Sequence, residues 1–352
     1  MLTDKQIQQI REELDNCKKP LFFFDDDPDG LCAFLLLYRY KREGKGIPVK
    51  SAPKIDIRFM QKVDEYEPDK IFIIDVPVVD QEFFDAASKA KIPVIWIDHH
   101  SPEKREHVRY FNPRSNSAGS NICATRLCYS VAANKDDIWL AMAGAVGDWQ
   151  LPEFKDEFCG RYPKLLDRKV SDPEAALFQH PIGRLVKIIS FILKGKISLV
   201  MKCVKIMTRV EDPDEILSST TARGKFINKT IKETEEKYDE LLEDAERHYK
   251  KDEKLLVFTY QDNKMSFTKE MSNELVFRHP DKIIVAGRIK SGEVKLSLRA
   301  MRYILPPIVK KSMEGITGYG GGHEHACGSC VKEDEFEKWL GQFKDALEKA
   351  DE

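Results

Sequence analysis

The chain has 352 residues, enough for two domains that each bury a core. With 57 Lys and Arg against 59 Asp and Glu the formal charge is −2, so no global basic field draws in nucleic acid and any such groove has to be local. A hydrophobic fraction of 42% beside a charged fraction of 33% excludes a disordered chain, and eight scattered cysteines fit reduced thiols better than a disulfide framework.

The N-terminal segment has no apolar signal region; Thr3 with Gln6 reads as a capping box opening an amphipathic helix. Residues 22–30, FFFDDDPDG, organise the rest of the chain. An apolar run stops at Asp25, Asp27 and Asp29, Pro28 and Gly30 force a turn, and an apolar stretch at 31–42 resumes as a helix. Strands are predicted over 21–24, 55–59, 71–74 and 94–97, with helices over 31–42, near 61–65 and over 80–90. This alternation predicts an α/β fold whose mostly parallel sheet has helices on both faces. A further small-residue helix is predicted over 132–146.

Residues 155–185, with Pro163, Pro173 and Pro181, read as loop-rich; 184–209 and the charged 221–251 read as helical. The most apolar later stretch, 188–200, holds Lys194 and Lys196 and is too short and too charged to span a bilayer. Strands are then predicted over 255–260, 282–289 and 293–299, the last two joined at Ser291–Gly292 as a hairpin. Residues 318–322 form a dense glycine loop and 333–347 a terminal helix. The expected division is a catalytic domain at 1–165, a helical connector at 166–252 and a smaller α/β domain with a mixed sheet at 253–352, with ligand bound between the lobes. An intracellular, cytoplasmic chain without a membrane partner is expected.

Three predicted strand ends deliver carboxylates, at Asp25–Asp29, Asp75 and Asp98, the last followed by His99 and His100; Asp148 ends the small-residue helix. A lone Asp after a strand usually caps the next helix, but several together lie at the edge where α/β sites form. Carboxylates with imidazole suit Mn²⁺ or Mg²⁺, with imidazole favouring Mn²⁺. The ligand count suits two ions roughly 3.5–4 Å apart, a pair suited to displacement at phosphorus.

DDDPDG (25–30), FIID (72–75), DHH (98–100) and GD (147–148) resemble the four ordered motifs of the DHH phosphoesterases, the first in its RecJ-type form. Phe23 stands where other branches carry a histidine. The resemblance implies two divalent metal ions held by Asp25, Asp27, Asp29, Asp75, His99 and Asp148, with Asp75 bridging. It implies that His100 contacts substrate phosphate and that Asp98 orients the histidines. GYGGGHEHACG (318–328) resembles the GGGHxxAxG motif of the DHH-associated domain. That implies substrate contacts from Gly320, Gly321, Gly322, His323 and His325, and from Ser297 and Arg299 on a phosphate-binding strand. Arg114, in the loop RSNSAGS, suits a substrate contact and a solvated loop equally. The single CxxC at Cys327 and Cys330 lacks the second pair a zinc site needs. Lys187, Lys194, Lys196, Lys202, Lys205 and Arg209 fit a solvated helix face better than a nucleic-acid track.

The expected function is a metal-dependent exonuclease acting on single-stranded RNA or DNA, or on short oligonucleotides, and releasing nucleoside monophosphates. The rivals are hydrolysis of a nucleoside bisphosphate or cyclic dinucleotide, and a catalytically silent replication scaffold. Replication or repair proteins are compatible partners.

Overall fold

Apolar runs that stop at acidic residues become the strands of one parallel sheet in the computed structural model, which describes residues 1–50, 54–262 and 264–350. The strands of the first half are β1 (Pro20–Asp25), β2 (Lys45–Val49), β3 (Lys54–Ile55), β4 (Lys70–Ile74), β5 (Val78–Val79), β6 (Val94–Ile97) and β7 (Arg109–Phe111). The main sheet has the order β2-β1-β4-β6-β7, every pair parallel, while β3 and β5 form a separate small pair.

Side-chain alternation along β1 sorts the covering helices. Phe22 and Phe24 face α2 (Pro28–Lys41), with ring centroids 5.4 and 4.8 Å from Phe34. Leu21 and Phe23 share the opposite core with Val63 of α3 (Met60–Tyr66) and with Phe83 and Phe84 of α4 (Gln81–Lys89). A strand buried on both faces reads as a continuous apolar run, which is why LFFF was legible as one. Ahead of the sheet, α1 (Asp4–Asp15) carries the expected capping box: Thr3 Oγ1 accepts from the Gln6 amide at 3.3 Å and Gln6 Oε1 from the Thr3 amide at 2.9 Å.

Downstream, α5 (Ala124–Ala132) and α6 (Ile138–Gly147) pack on α2. The chain continues through α7 (Lys155–Arg161), α8 (Pro173–Gln179), α9 (Pro181–Ile192), α10 (Ile197–Met207), α11 (Asp214–Leu217) and the long α12 (Ala222–Arg247). Two units result, Met1–Ile231 and Lys232–Glu352, with α12 passing from one to the other. The second unit holds β8 (Leu255–Gln261), α13 (Thr268–Arg278), β9 (Ile283–Lys290), β10 (Glu293–Ala300), α14 (Leu305–Ser312), β11 (Gly318–His323), β12 (Ala326–Lys332) and α15 (Phe336–Ala350). Its mixed sheet runs β11-β12-β10-β9-β8, antiparallel except for β8 with β9, and buries its core against α14 and α15. Ser291 and Gly292 turn the β9–β10 hairpin with φ of 55° and 73°, as expected.

Four expectations change. The strand expected over 55–59 is two residues of β3 followed by a 3₁₀ turn that Asp56 caps through the Arg58 amide. The second strand of the main sheet is β2, disguised by Gly46 and Pro48; proline is tolerated because β2 is an edge, and Gly46 leaves room for the Phe34 ring. The helix expected over 132–146 starts only at Ile138: Ala132 ends α5, and the chain turns where Ala133 is left-handed at φ 51°. Within 155–185, Pro173 and Pro181 start helices instead of ending them, in the first-turn position where proline lacks no needed donor. Among the described residues no helix is long and apolar enough to cross a membrane.

Gly144 on α6 lets that helix approach α5: a Cβ there would lie 2.2 Å from Thr125 Oγ1 and 2.8 Å from Cys32 Cβ. Gly144→Ala should therefore lower stability in urea denaturation by about 1–3 kcal/mol, the usual cost of overpacking, despite alanine's better helix propensity. Unchanged or increased stability would contradict this packing.

Candidate metal centre

The sheet delivers its acidic residues to one edge because the strands are parallel and each ends in a carboxylate. Asp25 closes β1, Asp75 follows β4 and Asp98 follows β6. Asp27 caps α2, its Oδ1 accepting the Gly30 amide at 3.0 Å. Gly30 has no alternative here, since a Cβ would stand 2.5 Å from the Asp25 carbonyl oxygen. Asp148 arrives from α6, whose glycines permit close approach; a Cβ on Gly147 would meet Pro28 at 2.7 Å.

Three donor groups form, each with ligand atoms within 4.8 Å of one another: Asp25, Asp27 and Asp75; Asp29, His99 and Asp148; and Asp75, His99 and His100. All seven of these expected residues are therefore brought together, and Asp75 belongs to two groups. Asp75 is 2% exposed, adopts a left-handed φ of 61°, and has a buried Oδ1 without a hydrogen-bond partner, 3.3 Å from His99 Nε2. Burial, then the charges of Asp29, Asp27, Asp25 and Asp148, push its carboxyl well above the ordinary carboxylate range. A buried oxygen left without a proton donor, surrounded by four other carboxylates, fits a divalent cation.

The histidines differ. Burial holds His99 below the usual imidazole range, as suits a neutral metal ligand, and its Nδ1 is also buried without a partner. For His100, burial opposes protonation, but the hydrogen bond and charge of Asp98 outweigh it and raise the imidazole. His100 Nδ1 lies 2.7 Å from Asp98 Oδ1, and the His100 amide donates to Asp98 Oδ2 at 3.1 Å.

Several supporting residues were not singled out from the sequence. The fully buried Asp98 also accepts from Tyr110 Oη at 3.1 Å and Asn112 Nδ2 at 3.3 Å. Asn112 carried a signal, an Asn-Pro step closing an apolar run, which favours a turn. Asp29 accepts the amides of Ala124 (2.8 Å) and Thr125 (2.7 Å) at the start of α5, so its carboxylate anchors that helix as well as facing the site. Asp148 Oδ2 accepts from Gln150 Nε2 at 3.0 Å, across a Trp149 held at φ 57°. Nearby thiols do not compete as nucleophiles: burial pushes Cys32 and Cys123 well above the ordinary thiol range.

Arg114 follows β7 on a 3₁₀ turn, its amide donating to Asn112 Oδ1 at 2.9 Å; it is half-buried and outside the three donor groups. In the second unit, Gly318–His323 is an edge strand, not a loop, because each residue pairs with β12. Gly320 and Gly322 face neighbouring atoms closely, whereas a Cβ on Gly321 would meet nothing within 4 Å. His323 and His325 are exposed, and His325 Nδ1 lies 3.0 Å from the Tyr303 carbonyl oxygen. Ser297 is buried, its hydroxyl 2.8 Å from that of Ser272. Arg299 donates to Asn273 Oδ1 at 2.7 Å, and burial pushes it down to about 10. Cys327 and Cys330 are three apart on β12, hence on opposite faces, and cannot share one ion.

Residues 21–146 match the DHH family, N-terminal domain. No curated protein matches the chain in sequence. Among solved structures, the fold is similar to a DHH domain described as belonging to a family of ribosomal proteins (TM-score 0.66, 16% identity, 97% of this chain and 89% of that one). It is similar to RecJ of Thermus thermophilus in complex with Mn²⁺ (TM-score 0.66, 13% identity, 99% of this chain), although the chain spans only 56% of that protein. It is also similar to PggH of Vibrio cholerae, a pGpG-specific phosphodiesterase (TM-score 0.50, 14% identity, 94% and 99% of the two chains).

Because the folded state raises the Asp75 pKa, it binds that proton more tightly than the unfolded chain does. The resulting cost to stability is full above the raised value and absent below the ordinary carboxylate value. Metal-free Asp75→Asn should thus be more stable than metal-free wild type at neutral pH, with the gap closing as pH falls. Urea denaturation across pH reads this; a less stable variant at neutral pH would contradict it.

Proposed function

Taking residues 21–146 as a DHH-family N-terminal domain, we propose that this protein is a divalent-metal-dependent phosphodiesterase of exonuclease type that hydrolyses short single-stranded oligonucleotides to nucleoside monophosphates, in the cytoplasm. The observation that carries the reading is Asp75: a buried carboxylate with an unpartnered oxygen, set among Asp25, Asp27, Asp29, Asp148 and His99. These residues would hold two divalent ions, Mn²⁺ before Mg²⁺, with Asp75 shared between them. Such ions, when bound, supply water activation and charge neutralisation for displacement at phosphorus.

The chain's own groups do the positioning. Asp98, held by Tyr110 and Asn112, fixes the His100 ring through Nδ1 and favours its protonated form, which suits a phosphate oxygen. In the second unit, Arg299 keeps its guanidinium in place through Asn273 and offers an anion contact of its own. No protein nucleophile is needed, consistent with the raised thiols beside the carboxylates. The preference for short substrates draws on the similarity to PggH, whose length this chain nearly matches.

End-labelled single strands of two to about twenty nucleotides, as RNA and DNA, test the reading with Mn²⁺ or Mg²⁺. Stepwise loss of mononucleotides is expected, abolished by chelation and reduced at least roughly 10²–10³-fold by Asp75→Ala, the scale of a lost electrostatic group. Intact strands beside a consumed nucleoside bisphosphate would point to a small-molecule enzyme instead. Folded protein that binds no Mn²⁺ by calorimetry would point to a scaffold.

A further inference from the structure

The sheet of the second unit has one feature that packing does not account for. Tyr319 lies on β11 between two glycines and is 68% exposed, more than any other large hydrophobic side chain among the described residues. An aromatic ring left in water on an edge strand contributes little to stability, so its surroundings decide what it can do.

Register fixes those surroundings, because residues directly opposite in an antiparallel pair share a face. Tyr319 pairs with Cys330, Gly321 with Gly328, and His323 with Ala326. On the next strand, Gly328 pairs with Ser297 and Ala326 with Arg299. Tyr319, Gly321, His323, Ser297 and Arg299 therefore stand on one face of the sheet. Gly321 and Gly328 are exposed and opposite each other. A Cβ on Gly321 would meet nothing within 4 Å, and one on Gly328 only a backbone oxygen at 3.6 Å. The result is a flat floor without side chains, roughly 7 Å along the strand from Tyr319. It is bounded on the far side by His323, and Arg299 stands in the same row two strands away, opposite Ala326, with its guanidinium held by Asn273.

Resting on the proposed activity, the geometry points to Tyr319 as the platform on which a nucleobase of the substrate stacks, with its sugar over the Gly321–Gly328 floor and its phosphate towards His323 and Arg299. A stacked ring reads the π-face common to all bases, so this contact gives affinity for a nucleotide over a bare phosphodiester without dictating sequence. It also makes use of the bare glycines, since a side chain at either position would lift the sugar from the sheet.

The test uses the full chain with Mn²⁺ and two substrates, a diadenylate and its counterpart with one base replaced by hydrogen, each positional isomer tried. The wild type should prefer the base-bearing substrate in kcat/KM by about tenfold for one isomer, the scale of a single base–aromatic stack. Tyr319→Phe should keep that ratio, and Tyr319→Ala should bring it close to one through loss on the base-bearing substrate. A Tyr319→Ala ratio equal to that of wild type overturns the assignment while leaving the activity standing. If the wild type cleaves neither substrate, the proposed activity fails, and a 2-aminopurine dinucleotide reports stacking directly. Fluorescence quenching by wild type and Tyr319→Phe but not by Tyr319→Ala would sustain the platform; equal quenching, or none, would overturn it.

Discussion

Five carboxylates converge beside two imidazoles, and the buried Asp75 among them has an oxygen without a hydrogen-bond partner, 3.3 Å from His99 Nε2. Two unit charges about 4 Å apart interact by ~4 kcal/mol at the effective dielectric of a protein surface, so such crowding is costly unless protons or cations intervene. The backbone adds to the strain: a left-handed φ at a non-glycine residue costs on the order of 1–3 kcal/mol, and Asp75 and Trp149 both adopt it beside the site. The fold tolerates these costs because its acidic side chains are tied elsewhere. Asp29 holds the start of α5, Asp27 caps α2, Asp98 is gripped by Tyr110 and Asn112, and Asp148 by Gln150.

Groups that face the site are thus distinct from groups that hold them, and the two differ in chain distance. The acidic residues and histidines were legible because each ends an apolar run, a signal contained in five or six consecutive residues. Their supports were not. Ala124 and Thr125 meet Asp29 from about ninety-five positions away, and nothing local in ICAT announces it. Asn112, with a turn signature of its own, and Gly30, in the same DDDPDG stretch as the Asp27 it supports, were exceptions.

For the fold, the parallel sheet covered on both faces and the separate mixed sheet were both legible from alternating apolar runs and from the Ser291–Gly292 turn. Several of the misreadings came from glycine and proline. In β2 they disguised an edge strand, and in α8 and α9 proline opened helices in a stretch that read as loop-rich. The glycine run at 318–322 read as a loop because glycine usually marks one. Here β12 supplies the pairing that local propensity does not, an override of propensity by tertiary context. Gly318, Gly320 and Gly322 give close approach to neighbouring atoms, and Gly321 leaves a bare position, so the run is packed strand rather than flexible turn.

That the acidic and histidine cluster is a metal centre is tested most directly by anomalous scattering from crystals grown with Mn²⁺. Data collected on both sides of the manganese absorption edge should show two peaks, one beside Asp25, Asp27 and Asp75 and the other beside Asp29, His99 and Asp148, with Asp75 touching both. Crystals containing Mn²⁺ with no anomalous peak among these residues, or with peaks only elsewhere on the surface, would contradict it.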